Sequence, residues 1–544
     1  LCNDAHSVLR LGPIIFVDNC HPPRPIVMEF CFPHMNRINR SNLQQLGLPS
    51  ATVACGPAAR FPERIVQFGE GNFLRAFVDW KIDVLNASGA FGGSVLVAQP
   101  IKQGMAAELQ SQDCLYTVLL RGVEGGKVVE SRRVVTAINR ALNPYDQWAE
   151  LVKAFRGDAL RFVVSNTTEA GIAYAEEKHT PGVCQNTFPA KVAALLLERF
   201  EAVKGDAKRG LVFLPCELID RNGENLRKCV LQYAKAWNLP AAFVAWVETA
   251  NHFCNTLVDR IVPGYPRDEA ARIAGELGYE DKMLVAAEYF HLWVIEGPKH
   301  LADEIPFHKA GLNVVWTDDM TPYRTRKVRL LNGAHTSSVL AAFEAGCNTV
   351  REMVEDPVCG ALLRKAVFDE ILYQVPLPPM ERKAYADSVL ERFCNPFIRH
   401  ELLSISLNSV SKWKVRVLPS LLDCRNDFGK LPPALSFSLA ALIWFYCGEP
   451  VSANELRGRR NRQPYPIKDD AHVLAFFAES WKQAADLKPE SLRALAVATL
   501  GRTDFWGQDL NAVAGLTDAV ATGLQNIAAL GMRAAVAKVV ATSY

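Results

Sequence analysis

The sequence predicts an α/β fold in which a parallel-sheet N-terminal domain is followed by a mainly α-helical C-terminal domain. Three observations carry this. Short apolar runs, RIVQF (64–68), SVLVAQP (94–100), LRFVVSN (160–166) and LVFLP (211–215), have the length and β-branched content of buried strands. Helical stretches such as FLRAFVDWKIDVLNASG and FPAKVAALLLERF (188–200) separate them, and strands alternating with helices imply a parallel sheet. After about residue 315 the texture changes to long amphipathic segments, VRLLNGAHTSSVLAAFEAG and ALSFSLAALIWFYCG among them, with little strand signal.

The chain has 544 residues, long for a single core, with 49% hydrophobic and 22% charged side chains. Sixty basic against fifty-eight acidic residues leave a net charge of +2, which supplies no electrostatic ground for a nucleic-acid or membrane partner. An anionic small substrate must then be met by local charge. No apolar run reaches the roughly 18 to 20 residues of a membrane span. Fourteen cysteines are scattered singly from Cys2 to Cys447 without a C-x-x-C pair. That pattern is read as reduced, mostly buried thiols of a cytoplasmic protein, with no metal site.

Residues 1–34, with four prolines in RLGPIIFVDNCHPPRP, are read as a poorly ordered extension. After the first strand comes FGEGNFLRAF (68–77). In a dinucleotide-binding turn the first glycine permits the tight bend and the second lets the backbone approach the pyrophosphate, at which the following helix aims its N–H groups. Gly69 and Gly71 fit these two roles, while Leu74 stands where a third glycine would be, so a cofactor site and an ordinary strand-to-helix turn both stay open. Gln99, after the second strand, occupies the place of a ribose-binding acid, and its amide could bond a ribose without separating NAD from NADP. On this basis residues 35–315 are assigned to a Rossmann-like cofactor domain and 316–544 to a helical substrate and catalytic domain.

Tyr174 and Lys178 form a Y-x-x-x-K pair, but YAEEKHTPG runs into Pro181 and Gly182 and reads as a loop. RGRRNR (457–462), close to Pro464 and Pro466, reads as a solvated loop as well. In TPYRTRKVRLLNGAHTSS (321–338), Thr321 suits an N-cap and Pro322 the first helical position. At about 100° per residue, Lys327, Arg324, His335 and Asn332 fall near 0°, 60°, 80° and 140°. They form a polar stripe facing either solvent or a wet cleft.

These two segments resemble the marks of the mannitol dehydrogenase family, the polyol-specific long-chain dehydrogenases: G-x-G-x-F-x-R-A at Gly69, Gly71, Phe73, Arg75 and Ala76, and K-x4-N-x2-H at Lys327, Asn332 and His335. SNTTEAGI (165–172) and LVDRI (257–261) are similar to further family segments, and the likeness runs from about residue 60 to the C-terminus. FGEGNFLRAFVDW, PCELIDRNG, VDRIVPGYPRDE and KVRLLNGAHT look like the branch that interconverts tagaturonate and altronate in hexuronate catabolism. The other hexuronate, fructuronate, or a polyol oxidised at carbon 2 are the alternatives.

The resemblance implies NAD as cofactor, a sugar-acid substrate, and reversible hydride transfer to its carbonyl, with the oligomeric state open. Lys327 would be the proton donor, Asn332 would hydrogen-bond the reacting oxygen, and His335 would orient substrate hydroxyls or the lysine. Phe68, Gly69, Gly71, Asn72, Phe73, Gln99 and Glu169 are expected at the cofactor, and Asn222, Asp259 and Arg324 at the substrate. The chain departs from the polyol branch at Leu218, where an asparagine would hold the reacting oxygen. Either Asn332 carries that role alone or Asn222 shares it. Arg324, where that branch has a glutamate, either receives the substrate carboxylate or pairs with Asp318 or Asp319 at the surface. Lys299, Lys412, Lys414 and Arg416 are further carboxylate partners to consider.

Overall fold

The structure is a computed structural model that describes residues 35–168 and 170–542. The sequence-expected extension 1–34 and Glu169 lie outside the described residues. Residues Arg37–Tyr544 belong to one unit.

Six parallel strands form the central sheet: β1 (Glu63–Phe68), β2 (Ser94–Ala98), β3 (Ile138–Leu142), β4 (Phe162–Ser165), β5 (Val212–Pro215) and β6 (His252–Phe253). Their spatial order is β3-β2-β1-β4-β5-β6, the order of a doubly wound dinucleotide-binding sheet. Side chains alternate between two buried faces. Ile65, Val95, Val97, Phe162 and Val164 enter one core with Leu74, Phe77, Ile82 and Leu85 of the helical run 72–87. Val66, Phe68, Leu96, Ala98, Val163 and Phe213 enter the other with the helices Pro144–Arg156, Phe188–Ala202 and Asn222–Ala236. Burial on both faces is why these strands read as unbroken apolar runs.

Beside the sheet, β7 (Asn255–Asp259) pairs antiparallel with β9 (Leu292–Glu296), which pairs parallel with β10 (Val314–Thr317). Between β7 and β9 in the chain, β8 (Val285–Glu288) pairs with the hairpin strand Tyr116–Glu124. Asp259 and Glu288 thus each end a strand, and both point toward the helical half.

From Thr321 onward helices dominate, built around a core that includes Leu330, Leu340, Phe343 and Leu435. The helix Pro433–Phe445 is buried around nearly its whole circumference, as its almost uninterrupted apolar sequence requires. Two expectations are corrected here. The helix begins at Thr321, one residue early, and Asp319 Oδ1 rather than the Thr321 hydroxyl accepts a first-turn amide, that of Thr321 at 2.8 Å. RGRRNR is not a loop, since most of it lies on the strand Glu455–Arg460, which is flanked by Gly448–Ser452 and Gln463–Ile467 in an antiparallel sheet. Arg460 there donates to the carbonyls of Phe343 and Cys347 at 2.8 and 2.9 Å, satisfying groups left free at the end of the helix Gly333–Glu344.

Candidate active site

The glycine turn joins β1 to the helical run 72–87 beside the point where the sheet order reverses, between β1 and β4. Gly69 has φ +125°, and a Cβ there would lie 3.0 Å from the Asn166 carbonyl at the end of β4, so only glycine fits. Gly71 differs, because a Cβ there would meet nothing within 4 Å. That open space in front of the first helical turn is where a pyrophosphate fits, and the chain's own residues are compatible with a dinucleotide. Arg75, buried beneath the turn, donates to the Glu70 carbonyl at 3.0 Å, to Asn72 Oδ1 at 2.7 Å and to the Met283 carbonyl. The arginine of the sequence motif therefore clamps the turn and ties it to the segment leading into β8.

The other cofactor candidates are distributed unevenly. Phe68 is fully buried with its ring 5.2 Å from that of Phe188, which makes it a core residue with no face toward a ligand. Phe73 is half-buried and stacks on Phe77 at 4.9 Å. Gln99 is 3% exposed; its Nε2 donates to the carbonyls of Ile101 and Lys102 and its Oε1 accepts from Ala106 N–H. Both amide hydrogens are thus used in shaping the loop after β2.

Lys327, Asn332 and His335 lie on one continuous helical run, which has a feature that the 100° count misses. Residues Lys327–Asn332 form a π-helical stretch between the α-helical segments Thr321–Arg326 and Gly333–Glu344. A regular α-helix would put residue i+5 about 140° away, whereas the wider π turn, closing i to i+5, reduces the angle between Lys327 and Asn332. The Asn332 amide is half-buried and makes no side-chain hydrogen bond among the described residues. Lys327 Nζ donates to the Val258 carbonyl at 2.7 Å and lies 3.7 Å from Asp259 Oδ1, both at the end of β7. His335 stacks on Phe393 at 4.1 Å and meets the His400 ring edge-on at 5.4 Å. Burial first, then the positive field of His400, Arg392, Arg416 and Lys412, holds its pKa well below the usual histidine value, so the ring is neutral near pH 7.

Asp259 belongs to a buried ionic network that sequence reasoning missed. From the helix Pro379–Phe393, Arg392 donates to both Asp259 oxygens at 2.9 and 3.1 Å and to both Glu288 oxygens at 2.8 and 2.9 Å. Tyr385 OH donates to Asp259 Oδ2 at 2.9 Å. Burial pushes the Asp259 carboxyl up, but Arg392, Lys327 and the hydrogen bonds of Arg392 and Tyr385 outweigh it and hold it below the usual carboxylate range. Asp259 is thus a charged post between Lys327 and Arg392, with its oxygens engaged by protein groups. The only sequence trace of the network was the LVDRI segment; Glu288, Tyr385 and Arg392 stand far away in the chain.

Asn222 does not reach a substrate. It is fully buried, Nδ2 donates to the carbonyls of Pro215, Glu217 and Thr256, and Oδ1 accepts from Gly223 and Thr256 N–H, so its amide has no hydrogen left to offer. Leu218 nearby is 65% exposed. Arg324 is paired with Asp220, with both side chains about half exposed, while Asp318 is taken by Lys299 at 2.7 Å. The surface ion pair was one of the two expectations for Arg324, with a different acid as its partner. Glu217, unremarked in the sequence, accepts from Ser165 Oγ, Thr167 N–H and Thr167 Oγ1 at 3.0 to 3.1 Å and so suspends the segment after β4. Cys347, Asp356 and Cys359 converge within 4.8 Å despite the absence of close cysteine pairs, but Asp356 already caps Val358 and Cys359 N–H and binds Arg533.

Comparison with known proteins agrees with this fold. Residues 63–309 match the model of the mannitol dehydrogenase Rossmann domain, and 319–528 that of the mannitol dehydrogenase C-terminal domain. An altronate oxidoreductase of Cronobacter sakazakii is 48% identical over 482 residues, covering 88% of this chain and 98% of that protein. One from Escherichia coli is 46% identical over 481 residues, 88% and 97% of the two chains. Among solved structures, a D-sorbitol dehydrogenase superposes with a TM-score of 0.73 at 23% identity, over 92% of this chain and all of the other. A Pseudomonas fluorescens mannitol 2-dehydrogenase complex with NAD and D-mannitol gives 0.63 at 22%, over 92% and 98%. These two speak for the fold alone. From the model matches and the close relatives it follows that the chain belongs to the mannitol dehydrogenase family.

Proposed function

We propose that this chain is an NAD-dependent altronate oxidoreductase, interconverting D-tagaturonate and D-altronate in the cytoplasm as a step of hexuronate catabolism. The observation that carries the reading is the π-helical turn that holds both Lys327 and the free amide of Asn332, the lysine being held by Val258 and Asp259. The names of the relatives support the substrate, and the open space before Gly71 supports a dinucleotide. Among the described residues no helix is long and apolar enough to cross a membrane.

When bound, NADH supplies the hydride and NAD accepts it in reverse. The chain's own residues handle the oxygen and its proton. During reduction the ketone oxygen gains negative charge, and the Lys327 ammonium donates a proton to it. In oxidation the neutral amine takes that proton back from the hydroxyl. A positioned acid or base of this kind contributes roughly a hundredfold to ten-thousandfold. The Asn332 N–H donors stabilise the same oxygen before the proton arrives. Asp259 keeps the ammonium at the end of β7, and Arg392 keeps Asp259 there. His335, neutral and packed on Phe393, offers ring nitrogens to substrate hydroxyls.

The test is NADH oxidation with tagaturonate, fructuronate and fructose in parallel. Tagaturonate should give the highest kcat/KM, and a higher value for either competitor would contradict the assignment.

A further inference from the structure

A sugar acid differs from a polyol by one negative charge, and Arg324, already paired with Asp220, is not poised to meet it. A different group of cations is. Arg416 ends the helix Ser409–Arg416, whose backbone approaches the catalytic helix so closely that a Cβ on Gly333 would lie 3.1 Å from the Arg416 carbonyl. Its Nη1 reaches Thr336 Oγ1 at 3.5 Å. Lys412 lies one turn earlier on the same helix, with Nζ on the Ile405 carbonyl at 2.9 Å. His400 completes the group against the edge of His335, whose Nε2 has no partner although the residue is only 9% exposed.

Arg416 and Lys412 lack counter-charge, unlike other cations of the helical half. Arg392 has Asp259 and Glu288, and Arg329 has Asp423 at 2.5 Å. Among the described residues neither Arg416 nor Lys412 has a carboxylate within ion-pair distance. The acid whose charge bears on Lys412, Asp469, is occupied by Tyr446 OH and Val410 N–H. Burial lowers the pKa of both Lys412 and Arg416, and the charge of Arg416 lowers Lys412 further, so an arriving anion would relieve both.

The spacing suits a six-carbon keto acid. Thr336 follows Asn332 by one α-helical turn on the same face, a rise of about 6 Å. In tagaturonate the carboxyl carbon is four bonds from the ketone carbon, roughly 5 Å when extended, by ordinary carbon–carbon bond lengths. We infer that Arg416 and Lys412, with His400 beside them, form the subsite for the substrate carboxylate when the carbonyl lies between Lys327 and Asn332. This rests on the reading of the chain as a sugar-acid oxidoreductase. The planar guanidinium gives Arg416 the larger share, because it can bind both carboxylate oxygens at once.

The experiment measures kcat/KM for D-tagaturonate and for D-tagatose, the uncharged ketose of the same configuration, in wild type, Arg416→Met, Lys412→Met and Arg416→Lys. Loss of a charge-assisted contact should lower the tagaturonate-to-tagatose ratio by about 30-fold or more in Arg416→Met, chiefly through KM. Lys412→Met should lower it less, and Arg416→Lys should recover part of it. Should Arg416→Met fold poorly, Lys412→Met and the conservative Arg416→Lys carry the same ratio test. Equal losses on both substrates, or a ratio that stays at the wild-type value in both methionine variants, would overturn the subsite. A wild-type enzyme with no preference for tagaturonate over tagatose would instead overturn the functional reading and the subsite with it.

Discussion

Lys327 Nζ stands 3.7 Å from Asp259 Oδ1, and the same Asp259 oxygen accepts from Arg392 at 2.9 Å. One strand end thus ties the helical run that carries Lys327 to the helix Pro379–Phe393. Because the carboxylate is 3% exposed, removing its charge leaves Arg392 only partly compensated and Lys327 held by a carbonyl alone. Asp259→Asn should therefore cost about 3 to 5 kcal/mol in chemical denaturation, the range for breaking a buried ion pair, and should lower kcat. A loss below about 1 kcal/mol, as for a surface pair, would show that the network does not hold the site.

At the glycine turn the prediction concerns binding and not stability. A side chain at Gly71 has free space in the protein alone, so Gly71→Val should fold normally. It would occupy the room assigned to the pyrophosphate, and NADH affinity should fall about tenfold or more. Undiminished NADH binding by fluorescence titration would make the segment a structural turn only.

His335 gives a pH signature. Its folded-state pKa is depressed below the ordinary 6.5 by burial first and then by His400, Arg392, Arg416 and Lys412. The unfolded chain takes up a proton as the pH falls through about 6.5 while the folded imidazole stays neutral, so stability present above that value is lost below it. The slope for one such group is about 1.4 kcal/mol per pH unit. His335→Gln should lose about 1 to 2 kcal/mol less stability than wild type between pH 7 and pH 5. Equal losses would mean that the ring is protonated in the fold.

Arg324 supplies the contrast to Arg416. Its exposed pair with Asp220 should be worth less than about 1 kcal/mol, so Arg324→Gln should barely change stability. It should also leave the ratio of kcat/KM for tagaturonate and tagatose within about twofold of wild type. A collapse of that ratio would return the carboxylate to Arg324.

The strands that could be read from the sequence were those buried on both faces, such as Ile65–Val66 and Val95–Val97, whose apolar runs need no partner to be recognised. Ile138–Leu142 escaped because Asn139 and Arg140 interrupt it at the sheet edge, and His252–Phe253 because two residues carry no period. The hairpin Tyr116–Val135 did leave a signal, the Gly125–Gly126 turn with positive φ at both positions, which went unused. Lys327, Asn332 and His335 were legible as a motif, but not the π turn between Lys327 and Asn332, since one extra residue per turn leaves no mark on composition. Arg392 and Glu288 were illegible for another reason. Their meaning comes from contacts across 104 residues of chain.

The central claim is that Lys327 moves the proton, and turnover of Lys327→Met tests it most directly. With tagaturonate and NADH, kcat should fall by about a hundredfold or more while NADH affinity stays near wild type. Near-normal kcat in that variant would contradict the account, whatever the fate of the other assignments.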